Sequence, residues 1–133
     1  FISHASEDYE IAKRLYDDLK REGITPWIDG ENLLVGQNWR ETIPHIIRKS
    51  SHFLLVISKN SVSKTGYIQE EQRIALDFLN KFPPGKIFII PARLDNTEPA
   101  HEKLRNLHWA DLSDYDKGLA QILKALKSDN SGD

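Results

Sequence analysis

The sequence of 133 residues contains no cysteine and no methionine. Without cysteine the chain has no disulfides, no thiolate nucleophile and no metal site built on thiolates. No apolar run approaches the length of a membrane span, and no signal peptide is visible. The formal net charge of −2 lacks the basic excess that nucleic acids and anionic membranes attract. We therefore expect a cytoplasmic protein with no nucleic-acid or membrane partner.

The length and composition indicate one globular domain. The chain is 39% hydrophobic and 29% charged, and it is long enough to bury a core. It opens inside a predicted strand, as a fragment of a longer protein would, and it ends in polar residues. We expect the domain to cover residues 1–127, without the start of its first strand. Residues 128–133 then form a polar tail or linker.

Short apolar segments alternate with amphipathic helices along the chain. The predicted strands are Phe1–Ser3, Ile24–Ile28, Phe53–Ile57, Ile87–Pro91 and His108–Leu112. Continuous apolar strands are typical of parallel sheets covered on both faces, and Pro26 favours an edge position because it lacks an N–H. The pattern predicts an α/β, flavodoxin-like three-layer sandwich: a five-stranded parallel sheet of order 2-1-3-4-5 with helices on both faces. Residues 58–79 are predicted to contain a helix whose start is capped by Ser63 or Thr65.

A glutamate occupies an unusual position on this helix. Glu71 lies about 40° from Tyr67 on the helical wheel, near the middle of the apolar stripe, whereas Glu70 lies at its polar edge. Burying an unpaired carboxylate costs on the order of several kcal/mol, so Glu71 forms a salt bridge or faces a ligand cleft. In the predicted sheet the cleft lies at the carboxyl ends of strands one and three, where this helix begins. The glutamate and the predicted cleft therefore coincide.

The segment Asp29–Asn38 is predicted to be a loop with an apolar centre. It contains Leu33, Leu34 and Val35, followed by Gly36. Loops ordinarily expose polar groups, so apolar side chains in a loop indicate a contact surface. The next segment, Trp39–Lys49, is predicted to be a helix.

Four segments of the chain, taken in order, resemble conserved boxes of one family. They are Phe1–Asp8 (FISHASED), Trp27–Gly36 (the second strand and the following BB loop), Ser58–Ser61 and Leu107–Trp109. Together they resemble a TIR (Toll/interleukin-1 receptor) domain, more like the bacterial branch than an animal receptor. The resemblance runs over nearly the whole chain.

Enzymatic TIR domains cleave the nicotinamide–ribose bond of NAD+, and their catalytic glutamate follows an aromatic residue by four positions. Tyr67 to Glu71 matches this spacing, with tyrosine in place of the usual tryptophan. The resemblance implies that Glu71 is catalytic. It also implies contacts with NAD+ from His4, Ala5, Ser58, Tyr67 and Trp39. Alternative roles stay open for three of these: His4 at the surface, Tyr67 as a helix anchor, and Trp39 in core packing or against a neighbouring subunit.

The resemblance also implies self-assembly through the loop with Leu33, Leu34, Val35 and Gly36. It indicates the effector domain of a bacterial immune or antiphage protein that uses NAD+ as substrate and needs no cofactor. No metal site is predicted, because the remaining histidines lack the spacing of metal ligands.

Three other functions compete with this interpretation. A non-catalytic signalling adaptor would bind only other TIR domains and would need no acid at Glu71. A nucleoside deoxyribosyltransferase-like enzyme would also use a glutamate on a doubly wound fold. A phosphoreceiver domain would need clustered acids after strand one and an aspartate at the end of strand three. The chain has Ser3-His4 and Ser58 at those places, so we reject the phosphoreceiver.

Overall fold

The computed structural model describes residues 1–63 and 67–130. Its strands are β1 (Ile2–Ser3), β2 (Phe53–Ile57), β3 (Ile89–Arg93) and β4 (Ala110–Asp111). Its helices are α1 (Tyr9–Arg21), α2 (Asp29–Asn32), α3 (Trp39–Lys49), α4 (Lys59–Ser63), α5 (Tyr67–Leu79), α6 (Glu102–Arg105) and α7 (Tyr115–Asn130), and a 3-10 turn (Ser6–Asp8) precedes α1. Among the described residues, no helix combines the length and apolar character needed to cross a membrane.

The strands of the described residues form one parallel sheet in the order β1-β2-β3-β4. Ile2 lies opposite Leu54, and Phe53 lies opposite Ile89. Parallel neighbours require crossover connections, and α3 and α5 occupy two of them. The α/β class with a parallel sheet is therefore confirmed.

The predicted second strand is wrong. Residues 24–28, all of which the structure describes, are not a strand, and the sheet of the described chain has four strands instead of five. The segment still lies beside β1, where the Ile2 N–H donates to the Trp27 carbonyl at 2.9 Å. One hydrogen bond does not make a ladder, because paired parallel strands are joined by a regular series of them. The five-stranded order 2-1-3-4-5 is accordingly not confirmed.

Several boundaries also differ from the prediction. The strand predicted over Ile87–Pro91 begins and ends two residues later, as β3. The helix predicted within residues 58–79 is described as α4 and α5; Ser63 is the last residue of α4, and the other predicted cap, Thr65, lies outside the described residues. Asp29–Asn32 forms a helical turn at the start of the predicted loop.

The final helix extends beyond the predicted domain end. α7 runs to Asn130, and the domain end at residue 127 with a polar tail or linker over residues 128–133 stays a prediction. The Ser128 hydroxyl donates to the Ala125 carbonyl at 3.1 Å, which ties this polar residue into the helix. Residues 131–133 of the predicted tail lie outside the described residues.

The two faces of β2 pack against different helices. Phe53, Leu55 and Ile57 belong to a cluster with residues of α3 and α5, whereas Leu54 and Val56 belong to a cluster with residues of α1 and α7. This alternation follows from the period of two residues in a strand, and it places helices on both faces of the sheet. In β1 the same alternation directs Ser3 towards α3 and α5, since its neighbour Ile2 belongs to the α1 and α7 cluster.

Candidate active site

The site is centred on Glu71, which α5 turns towards the sheet. Glu71 is only 5% exposed, whereas Glu70 is exposed. This confirms the positions that the helical wheel assigned to both carboxylates. Ser3, at the carboxyl end of β1, donates its hydroxyl proton to Glu71 Oε1 at 2.6 Å. The predicted cleft edge and the buried glutamate are therefore in direct contact.

Two aromatic rings lie next to Glu71. Trp39 begins α3 and Tyr67 begins α5, and their ring centroids are 4.3 Å apart at an interplanar angle of 50°. Asn38 caps α3 by accepting a hydrogen bond from the Arg40 N–H, and this cap fixes where Trp39 enters the helix. The Arg40 guanidinium lies 4.8 Å from the Trp39 ring centroid. The aromatic pair thus lies where α3 and α5 begin.

The cavity between these helices is small. Trp39, Tyr67 and Glu71 all line it, and its volume is about 20 Å³. A space of this size holds about one water molecule. A ligand ring therefore does not fit in this cavity as it stands.

A second polar network lies at the same edge of the sheet. Asp8 is 8% exposed and accepts hydrogen bonds from the Ser58 hydroxyl at 2.5 Å and from Asn60 Nδ2 at 3.1 Å. These bonds join the turn after β1 to the start of α4. Sequence reasoning did not identify Asp8, because the residues next to it in the chain do not mark it as buried. Its partners Ser58 and Asn60 are close in space but about fifty positions away in the sequence, so they give no local signal.

The remaining predicted ligand contacts lie around this network. Ser58 is buried and its hydroxyl is bonded to Asp8, so contact with a ligand would require the network to open. His4 Nδ1 lies 2.8 Å from the Ala5 carbonyl, and its ring packs 5.9 Å from the Tyr9 ring. Ala5 is buried. The roles of His4, Ala5 and Ser58 in binding stay predictions.

Asp95 connects the loop after β3 to the same region. Its carboxylate accepts hydrogen bonds from the backbone N–H groups of Lys59, at 3.1 Å, and Thr97, at 2.9 Å. Burial works against the charged form, but the hydrogen bonds from Thr97 and Lys59 lower the pKa of Asp95 overall. The start of α4 is therefore held by carboxylates on two sides, Asp8 and Asp95.

The loop that leads into Trp39 exposes two of its three predicted apolar residues. Leu34 is 67% exposed and Val35 is fully exposed, whereas Leu33 is half-buried. Gly36 has a φ of 94°, and the Gln37 side chain accepts a hydrogen bond from the Leu34 N–H at 2.8 Å. The loop is thus a tight turn that presents two apolar side chains to solvent. In residues 1–63 and 67–130, no group of three or more histidines and carboxylates is arranged to hold a metal ion.

Two curated relatives show similarity over part of the chain. An NAD(+) hydrolase, TcpC, from Escherichia coli O6:H1 is 38% identical over 65 residues, which is 48% of this chain and 21% of that protein. A probable 2' cyclic ADP-D-ribose synthase, TcpO, from Methanobrevibacter olleyae is 30% identical over 61% of this chain and 24% of that protein. The chain therefore spans about a quarter or less of the length of these relatives.

Solved structures agree with the fold over almost the whole chain. The TIR domain of a Toll-related receptor from Hydra magnipapillata has a TM-score of 0.76 at 22% identity, covering 97% of this chain and 95% of that one. A TIR-STING receptor from C. gigas has a TM-score of 0.78 at 21% identity, covering 95% of this chain and 38% of that one. The family model for TIR domains matches residues 1–123. This match covers most of the chain, and the parallel sheet and the solved structures agree with it in fold. The chain therefore belongs to the TIR domain family.

Proposed function

We propose that this TIR domain cleaves the bond between nicotinamide and ribose in NAD+, with Glu71 as the catalytic residue. The observation that carries the proposal is the buried Glu71, held by Ser3 at the cleft edge of the sheet and lining one cavity with Trp39 and Tyr67. The names of TcpC and TcpO support it, because both denote proteins that act on NAD+ or form a cyclic ADP-ribose.

One carboxylate suffices for this chemistry. The bond from ribose C1′ to the pyridinium nitrogen breaks, and its electron pair neutralises the nicotinamide, so no acid has to protonate the leaving group. The ribose becomes oxocarbenium-like, as in glycoside cleavage. An anion at the position of Glu71 stabilises the positive charge that grows in the transition state. Attack by water gives ADP-ribose, whereas attack by a group of the same molecule gives a cyclic ADP-ribose isomer.

The finer parts of the proposal concern how the domain is switched on. Leu34 and Val35 would pack against a neighbouring TIR domain, and assembly would separate Trp39 from Tyr67 and complete the NAD+ site. NAD+ is then the substrate, no further cofactor is needed, and the domain acts in the cytoplasm as the effector of a bacterial immune protein. The closed cavity and the exposed loop would equally suit a non-catalytic TIR–TIR adaptor, which is the alternative function.

One experiment separates the enzyme from the adaptor. Concentrated protein is incubated with NAD+, and nicotinamide release is followed by chromatography. The enzyme should release nicotinamide in amounts that exceed the protein many times over. An adaptor should release none under conditions in which light scattering shows the domains to be assembled.

The residue Tyr67 should act in the site and not as a core anchor. Its side chain is 37% exposed, so Tyr67→Ala should leave the fold intact while lowering kcat/KM by about tenfold, equivalent to about 1.4 kcal/mol of lost stacking. Tyr67→Trp should retain or raise activity, because tryptophan offers a larger stacking face. Kinetics and thermal unfolding of both variants measure these effects.

Trp109 provides a matched control. It is 38% exposed and packs against the Arg93 guanidinium, away from Glu71. Trp109→Ala should lose a similar aromatic surface with little change in kcat/KM. If Tyr67→Trp unfolds the domain, Tyr67 is a packing residue and the stacking role is wrong.

A further inference from the structure

Ser3 is a buried polar residue on the sheet face that packs against α3 and α5. It is 1% exposed and is the last residue of β1. A hydroxyl in such a place is costly unless it is hydrogen-bonded, and its partner is Glu71, which lies 68 positions away in the sequence. The bond therefore joins the sheet to α5 at the place where the carboxylate is needed.

The geometry of this bond is that of a strong, charge-assisted contact. The separation of 2.6 Å from Ser3 Oγ to Glu71 Oε1 falls in the short range for a hydroxyl bound to a carboxylate. The hydroxyl is also rigidly mounted, because β1 is paired with β2 through the Leu54 N–H and the Phe1 carbonyl at 2.7 Å. Groups carried on paired strands are held more accurately than groups on loops.

We propose that Ser3 is a positioning residue for NAD+ cleavage: its hydroxyl fixes one oxygen of Glu71 and thereby the direction in which the other oxygen meets the ribose. The proposal rests on the function proposed above, in which Glu71 is catalytic. A glutamate side chain has three rotatable bonds, so one anchored oxygen restricts the plane of the carboxylate. A misplacement of about 1 Å can reduce a rate by about a hundredfold.

The position predicts a specific kinetic signature. Ser3 is buried behind Glu71 and should not bind substrate, so its loss should lower kcat and leave KM nearly unchanged. We expect Ser3→Ala to reduce kcat by about tenfold to a hundredfold. Ser3→Cys keeps the shape but replaces the hydroxyl with a weak donor, so it should show a comparable loss. Ser3→Thr keeps the hydroxyl and should recover most of the activity.

The experiment measures kcat, KM and thermal unfolding for the three variants, Glu71→Gln and wild type at one protein concentration. Ser50→Ala is the control, since Ser50 follows the last residue of α3 and its hydroxyl donates to the Ile46 carbonyl within that helix, at the end opposite Trp39. Ser50→Ala should keep the wild-type kcat. If Ser3→Ala fails to fold, Ser3→Cys alone decides the result.

The outcomes separate the two proposals. If Glu71→Gln is inactive while folded Ser3→Ala or Ser3→Cys keeps the wild-type kcat, the positioning role is wrong and the catalytic glutamate stands. A change confined to KM, or a folded Ser3→Thr as slow as Ser3→Ala, also overturns it, because the hydroxyl would not be what matters. If wild type does not cleave NAD+, or Glu71→Gln cleaves it normally, both proposals fall.

Discussion

Replacing Glu71 with glutamine should lower NAD+ turnover by about a hundredfold to a thousandfold while the domain stays folded. Glutamine keeps the shape of the side chain, and its carbonyl oxygen can still accept the hydrogen bond from Ser3. Only the negative charge is lost, and that charge is what would stabilise the ribose as it becomes cationic. The measurement is nicotinamide release per molecule, with circular dichroism and thermal unfolding to verify the fold.

Glu70 gives a control one residue away. It has the same charge and lies on the same helix, but it is exposed. Glu70→Gln should therefore change turnover by less than about twofold, because an exposed charge is screened by solvent. Wild-type turnover in Glu71→Gln, or an equal loss in Glu70→Gln, would contradict the assignment of the catalytic carboxylate.

The parts of the fold that the sequence predicted are those with a local signal. The apolar run Phe53–Ile57 is β2 with the same boundaries, and Trp39–Lys49 is α3 with the same boundaries. The strand predicted over Ile24–Ile28 failed because an edge strand depends on a regular ladder with its neighbour, and local residue preferences do not supply one. β3 lies two residues later than predicted because its register is set by its contact with β2, where Phe53 faces Ile89.

The site shows the same division between local and long-range information. The helical period was enough to predict that Glu71 is buried and that Glu70 is exposed. It could not reveal that Ser3 holds Glu71 or that Ser58 holds Asp8, since these partners are 68 and 50 positions apart. No local signal connects Trp39 with Tyr67, because their contact follows from the packing of α3 against α5. Partners of buried polar groups are thus what the sequence alone could not supply.

Specific activity should depend steeply on protein concentration, because the proposed complete site forms only between domains. Leu34 and Val35 are exposed on a tight turn four to five residues before Trp39, so a neighbour that covers them would bury the turn that leads into α3. When the assembly is mostly dissociated, the assembled fraction is proportional to total concentration. A thousandfold dilution in that range should therefore lower turnover per molecule by up to about a thousandfold. Turnover across a dilution series, with light scattering on the same samples, measures this.

Leu34→Asp should abolish the rise in activity with concentration, since it places a charge on the contact surface without disturbing a buried group. Ile87→Asp is a suitable control, because Ile87 is a partly exposed apolar residue just before β3, at the amino-terminal end of the strands. Gly36 is left unchanged, because its φ of 94° favours glycine and any other residue would strain the turn. Ile87→Asp should keep the concentration dependence of wild type. If turnover per molecule stays flat in a wild-type protein that is monomeric at every dilution, one chain contains the whole site and the apolar loop does not activate it.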